Sequence, residues 1–262
     1  MDRIFYYSGY RLTVFHWVNG KYVDSYAFNP VEEGYAEFSA YLQSAEKTPI
    51  RLLVDVIEED FKKEKIPHVG SKDQKAILKR IIERQYRNSI DFYHSVITSR
   101  DTSGRRDDNV FYSVLTNPKM LDPWLDLIDK ADVPISGIWS LPLLSHELIE
   151  KLEIKGANVL LVSQQVPSNL RQSFFKNGKF QISRSAVVNL EEIPLGQYIR
   201  EEVEQTTRFL SNQRYIGFDE RLTVYIVSDN RDINGIQEYC EDTPLRSFHY
   251  IGLRDVQEKL GT

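Results

Sequence analysis

Apolar and polar positions along this chain fall into a repeated order of elements. Positions 4–7 read Ile-Phe-Tyr-Tyr, an apolar run of four that stops at Ser8. A short apolar run bounded by a small polar residue predicts a buried strand. A second strand is predicted up to Asn19-Gly20 and a third beyond it. Asn-Gly tolerates positive φ at both central residues of a tight turn, as a two-residue hairpin requires. A helix is predicted over 31–46, with Pro30 set before its first turn. A buried strand follows over 51–57, Arg-Leu-Leu-Val-Asp-Val-Ile.

The order then returns. Val-Leu-Leu-Val at 159–162 stops at Ser163, and Asn19-Gly20-Lys21-Tyr22 reappears as Asn177-Gly178-Lys179-Phe180, 158 positions later. The same offset sets Leu12 against Leu170, Trp17 against Phe175 and Ser25 against Ser183. Before the second strand the copies differ in loop length, because Ser8 aligns with Ser163 at an offset of 155. A helix is predicted over 195–213, where Leu195, Ile199, Val203 and Leu210 form one stripe, then a strand over 222–228. A further helix is predicted in each half, over 72–87 and 231–241. The first has Ser71 and Gln74 at capping-box spacing. Two unrelated hairpins sharing a common turn are the alternative to a duplication.

The 262 residues, 41% hydrophobic and 27% charged, describe a globular chain of one to two domains. The repeat resolves this to two lobes, 1–155 and 156–262. A net charge of −5 argues against nucleic acid as a partner, because phosphate recognition leaves a basic footprint. No apolar run approaches a membrane span. The single cysteine, Cys240, excludes an internal disulfide framework and points to a reducing compartment. Catalytic signatures are equally sparse. There is no phosphate-binding glycine loop, and His146-Glu147-Leu148-Ile149-Glu150 lacks the second histidine of a zinc helix. The five histidines show no ligand spacing, so no metal or cofactor is expected. The acidic pairs Glu58-Glu59 and Asp107-Asp108 lie in polar stretches and are expected to be solvated.

Two copies of a strand-strand-strand-helix-strand unit resemble the actin-like superfamily. The implied fold is α/β, two-lobed, and made of two ribonuclease-H-like domains. The layout is more similar still to the cytoplasmic actin-like proteins of type IV pilus and type II secretion platforms, the PilM-like and GspL-like proteins. In the first half, the acidic loop with Ile66-Pro67, the helix 72–87 and a strand through His94 carry this likeness. So do the strand 109–115, the helix 119–130 and the short helix 141–152.

Active members of the superfamily carry Asp-x-Gly in the first hairpin of each lobe, for a magnesium ion and the phosphates. Here those places read Tyr7-Ser8-Gly9 and Val162-Ser163-Gln164, and Ser228-Asp229-Asn230 stands at the adenosine loop. Ser8, Gly9, Arg11, Ser163, Gln164 and Arg171 are therefore expected to line a relic nucleotide cleft. The resemblance implies a non-enzymatic scaffold, a pseudo-ATPase, at the cytoplasmic face of the bacterial inner membrane. Its partners would be an inner-membrane platform subunit and a motor ATPase, with a homodimer as a further expectation. Membrane association would be indirect or run through a segment beyond residue 262. The alternative is a nucleotide-binding ATPase or phosphotransferase, for which Asp55 is the candidate carboxylate. Lys72, Lys75 and Lys79 share one helix face, and Arg105 and Arg106 sit at a polar turn. These five are the candidate partner-binding residues, and the aromatic-rich first hairpin is a further docking candidate.

Overall fold

The computed structural model describes residues 2–86, 92–165, 169–188 and 193–261. It opens on a meander of β1 (Asp2–Tyr7), β2 (Leu12–Val18) and β3 (Lys21–Phe28), followed by α1 (Glu32–Ser44) and β4 (Ile50–Val54). The meander returns as β9 (Asn158–Gln165), β10 (Asn169–Lys176) and β11 (Lys179–Val187), followed by α5 (Leu195–Asn212) and β12 (Leu222–Ser228). Both Asn-Gly turns are left-handed, with φ of 52° and 75° at Asn19 and Gly20, and 51° and 72° at Asn177 and Gly178. Both hairpins also shift register at the same place, between His16 and Trp17 and between Phe174 and Phe175. The duplication thus extends to a shared β-bulge. A Cβ built on Gly20 or Gly178 meets nothing within 4 Å. Gly20→Ala and Gly178→Ala are therefore expected to cost only backbone strain, about 1 kcal/mol each. Urea midpoints check this, and a twofold difference between the sites would mean that the turns are not equivalent.

The first strands are not related as expected. Tyr7 pairs with Leu12 and Gln164 with Leu170, so the offset is 157. The counterpart of Ser163 is therefore Tyr6, and that of Ser8 is Gln165. The longer second loop carries one more ladder pair, Gln165 with Asn169.

A larger correction concerns the helix 72–87. It is not the counterpart of the helix expected over 231–241. Residues 59–115 form a separate unit, with β5 (Glu59–Ile66), α2 (Ser71–Gln85), β6 (Tyr93–Arg100) and β7 (Asp108–Leu115). Their sheet runs β5-β7-β6. Under α2 lies a core of Ile66, Leu78, Ile82, Val110, Tyr112 and Val114. The stretch expected as an acidic loop is a strand because only Phe61 and Ile66 are buried on it, while its charged residues stay at least partly exposed. Ser71 does not cap α2. Gly70 is the N-cap, and the Gln74 amide donates to Asp108 at 3.4 Å. The two ends of the unit meet, since the Thr116 amide donates to the Glu58 carbonyl at 2.7 Å.

With that unit set aside, the halves share one order. The first continues through α3 (Asp122–Lys130), β8 (Ile135–Ser140) and α4 (Leu141–Lys151). The second continues through α6 (Ile233–Gln237), β13 (Arg246–Gly252) and α7 (Leu253–Leu260), of which β13 was not foreseen. The sheets run β3-β2-β1-β4-β8 and β11-β10-β9-β12-β13. α1 and α3 cover the first sheet with Phe38, Leu42, Trp124 and Ile128. α5 and α6 cover one face of the second, through Ile199, Val203, Leu210 and Ile236. Its other face is closed by α4 and α7, through Ile149, Leu152 and Val256. The inserted unit also reaches the second lobe. Phe61 and Phe111 pack on Phe180 at centroid distances of 5.2 and 5.8 Å, and Lys63 donates to the Gln181 side chain.

Candidate functional site

An ion pair joins the opening hairpin of the second lobe to the first lobe. Asp55 follows β4, its amide held by the Tyr7 carbonyl at 2.9 Å. It has no exposed surface, and Arg171 of β10 is 3% exposed. The Arg171 guanidinium donates to Asp55 Oδ1 and, at 3.0 Å, to the Val56 carbonyl. The Tyr6 hydroxyl donates to Asp55 Oδ2 at 2.9 Å. Burial, and then the neighbouring Asp55 charge, push the Tyr6 phenol far above its usual value. Tyr6 therefore stays a donor at all ordinary pH values.

Of the six expected cleft residues, Arg171 makes this bridge and the others surround it. The Ser8 amide and hydroxyl both donate to the Arg11 carbonyl, at 3.2 and 3.4 Å, which closes the first loop on itself. Gly9 turns that loop with φ of 83°, against Val56. Ser163 stands opposite Arg171 in the ladder and accepts from Gln165 at 2.8 Å. The Gln164 side-chain Oε1 accepts from the Ser228 hydroxyl at 3.2 Å. In the loop after β12, Arg231 binds both carboxylate oxygens of Asp229 and, with its own backbone amide, holds that acid down to about 2. A magnesium-bound triphosphate does not fit these side chains. Asp55 is already neutralised by Arg171, and Tyr7 and Val162 stand at the two places of the motif acids.

Beside the junction lies a groove of about 480 Å³ between the first sheet and the inserted unit. Phe92, Leu115, Ile138, Trp139, Leu143 and Leu144 form its apolar walls, and Glu59, His94, Ser113, Ser140 and Glu147 its polar points. Ile138, Trp139 and Ser140 belong to β8, and Tyr93 and His94 to β6, so the groove runs between two strands at the ends of their sheets.

Two acids expected to be solvated are not. Asp108 is fully buried and binds Arg100 at 2.8 Å and His68 at 2.9 Å. Glu59 is largely buried, accepts from the Ser140 hydroxyl at 2.8 Å, and is pushed up to about 7, mainly by burial. In the unfolded chain it titrates near about 4.3. Between these values the unfolded chain loses the proton first. Glu59 therefore lowers stability as pH rises from about 4 to 7, and its effect levels off above that. Glu59→Gln is expected to change stability little at pH 4.5 and to raise it by about 3 kcal/mol at pH 8. Denaturation across that range checks this, and a pH-independent effect would contradict it.

Lys72, Lys75 and Lys79 are exposed on α2, and Arg105 and Arg106 are exposed at the β6–β7 turn. The structure brings both groups to one end of the inserted unit, because Gln74, between Lys72 and Lys75, bonds Asp108, two residues past Arg106. In the first hairpin Tyr7 is core, while Tyr22, Val23 and Tyr26 lie exposed on the end strand β3. Sequence reasoning missed Tyr6, Glu59 and Trp139. A usable signal existed for one half of the ion pair, since Asp55 interrupts the apolar run Leu52-Leu53-Val54-Asp55-Val56-Ile57. Glu59 gave none.

The duplicated sheet order, the bulged hairpins and the junction between the lobes decide the architecture, and solved structures share it. A chain of the PilM-PilN type IV pilus biogenesis complex superimposes with a TM-score of 0.67 at 8% identity, over 98% of this chain and 89% of that one.

The fold is actin-like.

The cytoplasmic domain of EpsL, an inner-membrane component of the Vibrio cholerae type II secretion system, matches with a TM-score of 0.51 at 11% identity. The match covers 100% of this chain and 95% of that one. A Bacteroides thetaiotaomicron protein of actin-like ATPase fold matches with a TM-score of 0.51 at 10% identity, over 100% and 95%. No protein-family profile and no curated protein matches the sequence. No helix among the described residues is long and apolar enough to cross a membrane.

Proposed function

We propose that this actin-like chain is a non-enzymatic docking component of a type IV pilus or type II secretion platform, and that its nucleotide cleft is a relic. One observation carries this reading: Arg171 reaches across the lobes and pairs with the buried carboxylate of Asp55. A buried ion pair in that place competes with any divalent cation, which would have to displace a guanidinium from its partner. The PilM-PilN and EpsL likenesses support the platform assignment. The first is a complex of an actin-like protein with a second pilus biogenesis protein, and the second is a component of an inner-membrane secretion system. The partner is then a platform subunit at the inner membrane, with the motor ATPase as a further contact. The groove beside Glu59 is the docking site best built for such a partner, being apolar, open and flanked by β8 and β6, each paired on one side only among the described residues.

Heating with 5 mM Mg-ATP tests the relic. The melting temperature is expected to move by less than about 1 °C, because a ligand well below saturation adds little stability. A rise of several degrees that disappears in Asp55→Asn would overturn it.

A further inference from the structure

We infer that the free end of the inserted unit binds an anionic lipid surface through Lys72, Lys75, Lys79, Arg105 and Arg106. This goes beyond the docking reading and does not depend on it. Three observations carry it.

The first is a charge imbalance. Residues 59–115 hold 12 lysines and arginines against 9 acids, a net charge of +3, while the rest of the chain carries −8. The acids nearest the free end of the unit are taken. Asp108 is buried on Arg100 and His68 at 2.8 and 2.9 Å, Asp101 accepts from Lys65 at 2.9 Å, and Asp107 pairs with Arg105 at 3.4 Å. Lys72, Lys75, Lys79 and Arg106 are exposed and form no ion pair among the described residues. Asp73 is the exposed acid left among them. The second observation is place. β5 and β7 each run eight residues from the joint at Glu58 and Thr116, so their far end stands roughly 25 Å from it. α2 starts at that end and returns toward the joint, where Tyr86 donates to Asp60. The basic side chains therefore lie at the tip, away from both the interlobe ion pair and Glu59.

The third is that local structure does not favour these charges. Lys72 lies in the first turn of α2 and Lys75 just after it, where the helix dipole disfavours cations. Arg106 is left-handed at φ of 57°, which costs a non-glycine residue about 1 kcal/mol. Cations kept where they weaken the fold point to an anion outside it. The nature of that anion follows from the surface around them. The exposed positions at this end of α2 are Ser71, Lys72, Asp73, Lys75, Ala76 and Lys79, and the turn exposes Thr102 to Arg106, with no large apolar side chain among them. A protein partner needs an apolar centre about which the charges are set. A charged bilayer surface needs none, and attracts each lysine or arginine near it by about 1 kcal/mol without fixed pairing.

The test is sedimentation of the intact chain with vesicles of phosphatidylcholine alone, or with phosphatidylglycerol as about one lipid in three. Wild type is expected to bind the anionic vesicles at least tenfold more tightly than the neutral ones. High salt should remove that preference, because it screens exposed charges. Lys72→Glu/Lys75→Glu/Arg105→Glu/Arg106→Glu should bind the anionic vesicles at least tenfold more weakly than wild type. Its melting temperature should not fall, since all four side chains are exposed and acids suit the start of α2. Lys21→Glu/Lys119→Glu/Lys130→Glu/Lys155→Glu changes the net charge equally at exposed positions outside the unit, and should keep most of the binding. Equal binding to both kinds of vesicle, or a loss no larger in the first variant than in the second, would overturn the inference. Binding to polyglutamate without binding to anionic vesicles would overturn it too, and would assign this end to an acidic protein segment instead.

Discussion

Arg171→Met is expected to be among the most damaging single substitutions in the molecule, at about 3–5 kcal/mol. The reason is what it leaves behind. Asp55 has no exposed surface, and without the guanidinium its charge keeps a single side-chain donor, Tyr6. A buried carboxylate stripped of its cation has lost solvation without compensation. The loss corresponds to a drop in melting temperature on the order of 10 °C for a chain of this size. Asp55→Leu should cost a similar amount, since it strands Arg171 with only the Val56 carbonyl. The informative variant is the pair. Asp55→Leu with Arg171→Met removes both charges and keeps volume, so most of the stability should return. The result expected is a strongly favourable coupling in a double-mutant cycle by urea unfolding. Additive losses would mean that the two residues stabilise separate things. The cycle also reports on function, because the double variant lacks the cation that competes for the cleft. If it gained nucleotide binding, some other group would have to supply the metal's charge.

Trp124→Ala is the second large effect expected, again about 3–5 kcal/mol, by a different route. Trp124 is 1% exposed and sits where α3 meets the first sheet and α1. Its ring lies 4.7 Å from Tyr35, 5.3 Å from Phe38 and 6.3 Å from Tyr7, centroid to centroid. Truncation opens a cavity among side chains that cannot all collapse inward, and it removes several edge contacts at once. Trp124→Phe keeps a ring and should cost well under half as much. Chemical denaturation of both variants checks this, and equal losses would show that shape at this site matters more than filled volume.

The parts of the fold legible in the sequence were those with a strict local requirement. Asn19-Gly20 and Asn177-Gly178 demand positive φ, and both turns have it. The strand 222–228 and the stripe of Leu195, Ile199, Val203 and Leu210 follow from burial on one side or both. The unit 59–115 was not legible as an insertion. A chain leaving a sheet and returning 85 positions later, at Ile135 beside Ile50, leaves no mark in local periodicity. β5 was hidden for a related reason. Six of its eight residues are charged, and it is a strand because β7 pairs with it. The site divides the same way. Arg171 was legible only as one of the expected cleft residues, and its partner is set by the way two lobes face each other. Glu59 looked like one of several solvated acids, and only tertiary burial made it different.

The meeting of Glu58 and Thr116 makes residues 59–115 portable. A segment whose ends already touch can be cut out and closed with a short turn, or exchanged for another, without asking the sheet around it to move. A version joined across that gap should keep the order β3-β2-β1-β4-β8 while losing Glu59 and one wall of the groove. Diversification of such a protein would then proceed by exchanging the cassette over a constant frame. Its choice of partner would change in one step, while the lobes that carry it stayed as they are.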